Sequence, residues 1–115
     1  MRCLTIFVSC MLLAVAVFAT TSYNALWVKA NKLYAARQYD SAAHYYGQIA
    51  ATQPQNSEVY YNLGNAHYRL NNVGMAVLSY EKALKIDPSH KEAADNLLIT
   101  QSRIKNRIPA MQQIF

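Results

Sequence analysis

Cysteine is nearly absent from this 115-residue chain: Cys3 and Cys10 both lie at the very start. Beyond them no disulfide, thiol nucleophile or cysteine metal site can form, and the remainder must hold together by packing alone. Three glycines are too few for a glycine-rich phosphate loop. Acid is sparse as well: six Asp and Glu stand against eleven Lys and Arg, a net charge of +5, and none occurs from Gln101 onward. Asp40, Glu58, Asp87 and Asp95 fall at helix ends or on polar faces, where capping and solvation account for them. No serine or cysteine has a plausible catalytic base at helical spacing. His44, His67 and His90 fall at different repeat positions and do not converge as metal ligands. The expectation is a chain with no catalytic residue, no metal and no cofactor.

What is present begins with an apolar run. Residues 4–19 are interrupted by Thr5, Ser9 and Cys10 alone, Arg2 precedes them, and Val17-Phe18-Ala19 offers small residues for a cleavage site before Thr20. That order is a secretory signal; an uncleaved anchor is the alternative, since a spanning helix needs roughly 20 apolar residues. Acylation at Cys10 fits less well, because almost no apolar stretch would precede it. Residues 1–20 are thus read as a signal peptide or N-terminal membrane segment, and export removes the chain from nucleic acid. The one local charge bias is Arg103, Lys105 and Arg107. These would either orient the chain at a membrane surface, at about 1 kcal/mol each, or offset the dipole of the last helix.

The rest reads as helix and repeats with a period of 34. Shifted by that amount, residues 23–56 land on 57–90: Tyr34 on Tyr68, Ala42 on Ala76, Tyr46 on Tyr80, Pro54 on Pro88 and Ala30 on Gly64. Apolar periodicity predicts helices from Tyr23 to about Ala36, Tyr39 to Ala51, Glu58 to Leu70 and Val73 to Ile86. Breaks fall at residues 52–56, at Asn71-Asn72 and at Asp87-Pro88. Ser89 with Glu92 reads as a capping box opening a fifth helix. Ala30, Gly64, Ala42, Ala76 and Ala83 are small enough to let paired helices approach; Tyr60, Leu63, Tyr46 and Tyr80 fill the space between them. The expectation is an all-α helical-hairpin solenoid. Two repeats, 23–56 and 57–90, occupy 21–90, a capping helix spans 91–107 and a tail 108–115. A solenoid normally needs about three repeats, so either Lys91, Asp95 and Gln101 form the polar outer face of a cap, or Ala94, Leu97, Leu98 and Ile104 meet a partner or a second copy.

Tyr60-Tyr61-Asn62-Leu63-Gly64-Asn65-Ala66-His67-Tyr68, then Ala76, Tyr80-Glu81-Lys82-Ala83-Leu84 and Asp87-Pro88, resemble a tetratricopeptide repeat almost position for position. The departures are His67 where an aromatic is preferred and, in the first repeat, Leu26, Lys29 and Ile49. The resemblance implies a concave groove for a protein or peptide, lined by Asn24, Trp27, Asn31 and Tyr34 from the first repeat and by Glu58, Tyr61, Asn65, Tyr68 and Arg69 from the second. Asparagines would hold an extended backbone and tyrosines would supply flat contact; the alternative is that Trp27, Tyr61 and Tyr68 pack between helices. Trp27 stands where chaperone-binding relatives have lysine, so their carboxylate clamp does not carry over. Asp95-Asn96-Leu97-Leu98, residues 101–109 (QSRIKNRIP) and terminal Ile114-Phe115 are further similar to BatE-type proteins of the Bat aerotolerance cluster in Bacteroidetes-like bacteria. That likeness implies a periplasmic or membrane-associated envelope protein beside von Willebrand factor A-type membrane partners. A subunit that self-stacks through its repeat ends, assisting an envelope enzyme or chaperone, is the other reading.

Overall fold

The computed structural model describes residues 24–112, with side chains through Arg107. The apolar run at 4–19, and with it the signal reading, lies outside the described residues, as do Tyr23 and the terminal Ile114-Phe115. Five helices follow one another among the described residues: α1 (24–35), α2 (Tyr39–Thr52), α3 (Ser57–Arg69), α4 (Val73–Ile86) and α5 (Lys91–Gln112). α1 pairs with α2 and α3 with α4; α2 also packs on α3, and α4 on α5. This is the all-α hairpin solenoid that the 34-residue period implies.

The two hairpins turn in the same way. Arg37 N–H donates to the Tyr34 carbonyl and Gln38 N–H to that of Leu33; Asn71 and Asn72 repeat the pair on Tyr68 and His67. This is a Schellman ending, which places the residue after the helix in the left-handed region, and Arg37 and Asn71 have φ of 61° and 62°. Neither is glycine. Asparagine tolerates that region, whereas arginine gives no advance sign of it.

Packing explains the small residues. Ala30, Ala42, Tyr46, Ile49, Val59 and Ala66 form a cluster shared by three helices, and Ala76, Tyr80, Ala83 and Ala93 form a second that reaches α5. A methyl group added at Gly64 would come within 2.6 Å of the Tyr80 ring. Glycine there is what allows α4 to seat on α3. Pro54 and Pro88 are exposed at turns and act by ending helices, not by filling the core.

Two local readings need correction. The fifth helix starts at Lys91 as expected, but the capping box of Ser89 and Glu92 is not made: Ser89 turns its N–H and hydroxyl onto Asp87 Oδ1, at 3.0 and 2.6 Å, and His90 Nδ1 accepts the Ala93 N–H at 3.3 Å. Asp87, lying just ahead, competes successfully for Ser89; the hydrogen bonds hold its carboxyl below the usual range. α5 also runs on to Gln112, past 107, although Pro109 within it has no backbone donor. Among the described residues no helix is long and apolar enough to cross a membrane.

Candidate functional site

The repeated asparagines have a shared task. Tyr46 donates its hydroxyl to Asn31 Oδ1 at 2.7 Å, and Tyr80 does the same to Asn65 Oδ1 at 2.7 Å. Both tyrosines are almost wholly buried, and burial pushes the Tyr46 hydroxyl up to about 12 and that of Tyr80 further still. They remain neutral donors at physiological pH. Each asparagine therefore anchors the second helix of its hairpin to the first, with its carbonyl committed inside the protein. Asn65 also accepts from Asn96 Nδ2 of α5 at 2.9 Å.

Beside this network lies a cavity of about 380 Å³, lined by Tyr34, Tyr61, Asn65, Tyr68, Arg69, Tyr80, Asn96, Ile99 and Thr100. Five of the expected groove residues meet here: Tyr34, Tyr61, Asn65, Tyr68 and Arg69. Trp27 does not line it; its ring meets that of Tyr46 edge-on, with centroids 6.0 Å apart, and it packs against the first core. Asn31 is held by Tyr46. Glu58 accepts from His90 Nε2 at 3.0 Å, beside the Tyr61 ring, and Asn24 contributes to a separate surface with Val28 and Leu33.

The cavity wall is held in place by its own contacts. Arg69 donates from Nε to the Tyr39 hydroxyl at 3.0 Å and stacks on that ring, whose edge meets Tyr34 at 5.1 Å between centroids. Arg103 lies 5.1 Å above the Tyr68 ring and, with Arg107, donates to Asn71 Oδ1. Two of the three cations in the basic stretch are thus turned onto the α3–α4 hairpin, while Lys105 is exposed. Asn96, Ile99 and Thr100 are the wall that the sequence reading missed. The 34-residue frame points to Ile99, which stands where Asn65 stands in the preceding repeat, but not to Asn96 and Thr100, whose counterparts Asn62 and Ala66 do not line the cavity.

The lining has no carboxylate, histidine, serine or cysteine, and among the described residues no three metal-binding side chains gather. Flat aromatic surface, amide groups and one guanidinium suit the contact of a polypeptide segment better than bond-making. The fold and this face define a helical-repeat binding protein. A family model described as tetratricopeptide repeat matches residues 28–91, and the chain belongs to that family, whose repeats mediate protein–protein interaction. A serine/threonine-protein phosphatase T from Aspergillus oryzae is 27% identical over 89 residues. The match takes in 77% of this chain and 19% of that protein, so the chain spans about a fifth of the relative's length.

Proposed function

We propose that this protein is a non-enzymatic scaffold that holds a segment of a partner protein in the cavity between α1, α3 and α5. The observation that carries the reading is the convergence of Tyr34, Tyr61, Tyr68 and Arg69 with Ile99 of α5 around one open space. With Asn65 Oδ1 already taken by Tyr80 and Asn96, its amide donors are what the groove offers an extended chain. We place this scaffold in a bacterial envelope, periplasmic or membrane-associated, beside von Willebrand factor A-type proteins of a Bat aerotolerance complex. The apolar run at 4–19 and the BatE-like stretch from Asp95 to Pro109 support that setting.

A photo-crosslinking side chain in place of Ile99, which is 55% exposed, tests the groove in envelope extracts. One partner band is expected, lost in Arg69→Glu and Tyr61→Ala. Capture unchanged by both substitutions would remove the groove from the account. Fractionation of the expressing cells tests the location separately, and recovery in the cytosol would overturn it.

A further inference from the structure

We propose that the edge of the protein formed by its hairpin turns docks on anionic lipid headgroups. α1, α3 and α5 all run toward this edge, so the 34-residue frame brings Arg37, Asn71 and Lys105 to equivalent places there, with Arg69 and Arg103 two residues before the last two. Side-chain bonds join them into one row. Arg69 donates to the Tyr39 hydroxyl beside the first turn, and Arg103 and Arg107 both donate to Asn71 Oδ1 on the second. These three arginines thus bind side chains, not helix-end carbonyls, and capping does not account for them. Arg37 and Lys105 are exposed.

Charge is sorted along the helices. Arg37, Arg69, Arg103, Lys105 and Arg107 stand at the turn edge against one acid, Asp40, and Lys32 in the last turn of α1 flanks them. Glu58, Asp87, Glu92 and Asp95 lie at the opposite edge with Lys85 and Lys91, the latter paired with Asp95, while Lys29, Glu81 and Lys82 fall between the edges. The 13 residues of α3 separate the two edges by about 20 Å. That is twice the screening length of roughly 8–10 Å at physiological salt, so the far acids do not cancel the near cations. Leu70 and Ile104 also correspond in the frame, and they are 42% and 37% exposed among these cations. A headgroup layer offers phosphate to the arginines and a hydrocarbon boundary to such side chains; a soluble polyanion offers chiefly the charge. Docked in this way, α3 stands on the surface and the cavity between α1, α3 and α5 opens sideways, toward partners held in the same membrane. The inference rests on the membrane-associated form of the proposed function.

Co-sedimentation of the full chain with vesicles of phosphatidylcholine, alone or mixed with phosphatidylglycerol, tests the edge. The apolar run at 4–19 can enter either kind, so the ratio of the two affinities is the readout. Each cation brought to an anionic surface is worth roughly fivefold, and Arg37→Gln with Lys105→Gln should lower the ratio at least about tenfold. Lys85→Gln with Lys91→Gln removes the same charge from the opposite edge and should leave the ratio within about twofold. Neither Arg37 nor Lys105 lines the cavity, so crosslinking from position 99 in the first double variant reports on the groove separately. A ratio of one in the parent chain, or equal losses in the two double variants, would overturn the proposal. So would competition by polyglutamate as strong as that by the same concentration of lipid charge, which would make the partner an acidic polypeptide.

Discussion

The two repeats share a frame yet differ in what surrounds them. Each has an asparagine gripping a tyrosine hydroxyl at 2.7 Å and a Schellman turn with φ near 60°. The second, however, lies between α2 and α5, and its asparagine takes an additional bond from Asn96. All but one of the cavity-lining residues come from the second repeat and α5; Tyr34 is the first repeat's contribution. A repeat unit thus specifies its own hairpin, and the neighbour that follows completes a binding wall. The stability of the second repeat should depend on α5 in a way the first does not.

The largest test compares the two buried tyrosines. Tyr80→Ala and Tyr46→Ala should each cost about 3–5 kcal/mol, comparable with the whole margin of a small domain. The Tyr80 loss should be larger, because it empties the space over Gly64 and removes one of the two donors that fix Asn65 Oδ1, leaving Asn96 of α5 alone on it. Urea unfolding measures both; a larger effect at Tyr46 would make the first repeat the anchor. Gly64→Ala probes the same space from the other side. Repeat one has Ala30 there, and alanine favours helix, yet the clash with the Tyr80 ring should make the change destabilising by about 1–2 kcal/mol. A stabilised Gly64→Ala would mean that α4 can slide outward freely.

The hairpins and their cores were legible because small and aromatic positions recur in register, and that recurrence is a direct image of helices stacking at a constant spacing. Less legible was what the asparagines do. Their amides suit a peptide backbone, but Tyr46 and Tyr80 lie 15 residues away on the partner helix, and a one-dimensional pattern does not show which hydroxyl will arrive. Of the wall supplied by α5, Asn96 and Thr100 are not legible in the repeat, because their counterparts Asn62 and Ala66 do not line the cavity. Ser89 misled for a local reason: Asp87, two residues earlier, captures its hydroxyl before a helix can use it.

His67 corresponds to Leu33 of the first repeat, and this is where the second repeat is worse built. Its buried Nδ1 has no hydrogen-bond partner, and burial holds its imidazole pKa below the usual 6.5. A base whose folded pKa is lowered contributes full stability above the unfolded value and loses it as pH falls from 6.5 toward the folded value. The melting temperature should therefore decline through that window. His67→Leu, borrowing the first repeat's residue, should flatten the decline and add about 1 kcal/mol at neutral pH by removing an unpaired buried polar atom. A pH profile unchanged by the substitution would move the titrating group elsewhere.

The smallest difference lies at the turns. Arg37 holds a left-handed backbone that costs a residue with a Cβ about 1–2 kcal/mol, and glycine would give back about half of that in its own lost freedom. Arg37→Gly should stabilise the chain by about 0.5–1 kcal/mol. The same change at Asn71 should not, because asparagine already accepts this conformation and its Oδ1 receives both Arg103 and Arg107. Replacing it by glycine relieves little strain and releases the end of α5 from the hairpin. Parallel melts of Arg37→Gly and Asn71→Gly therefore separate a turn that merely reverses the chain from one that also moors the last helix. A gain at both would show that the arginine contacts contribute nothing.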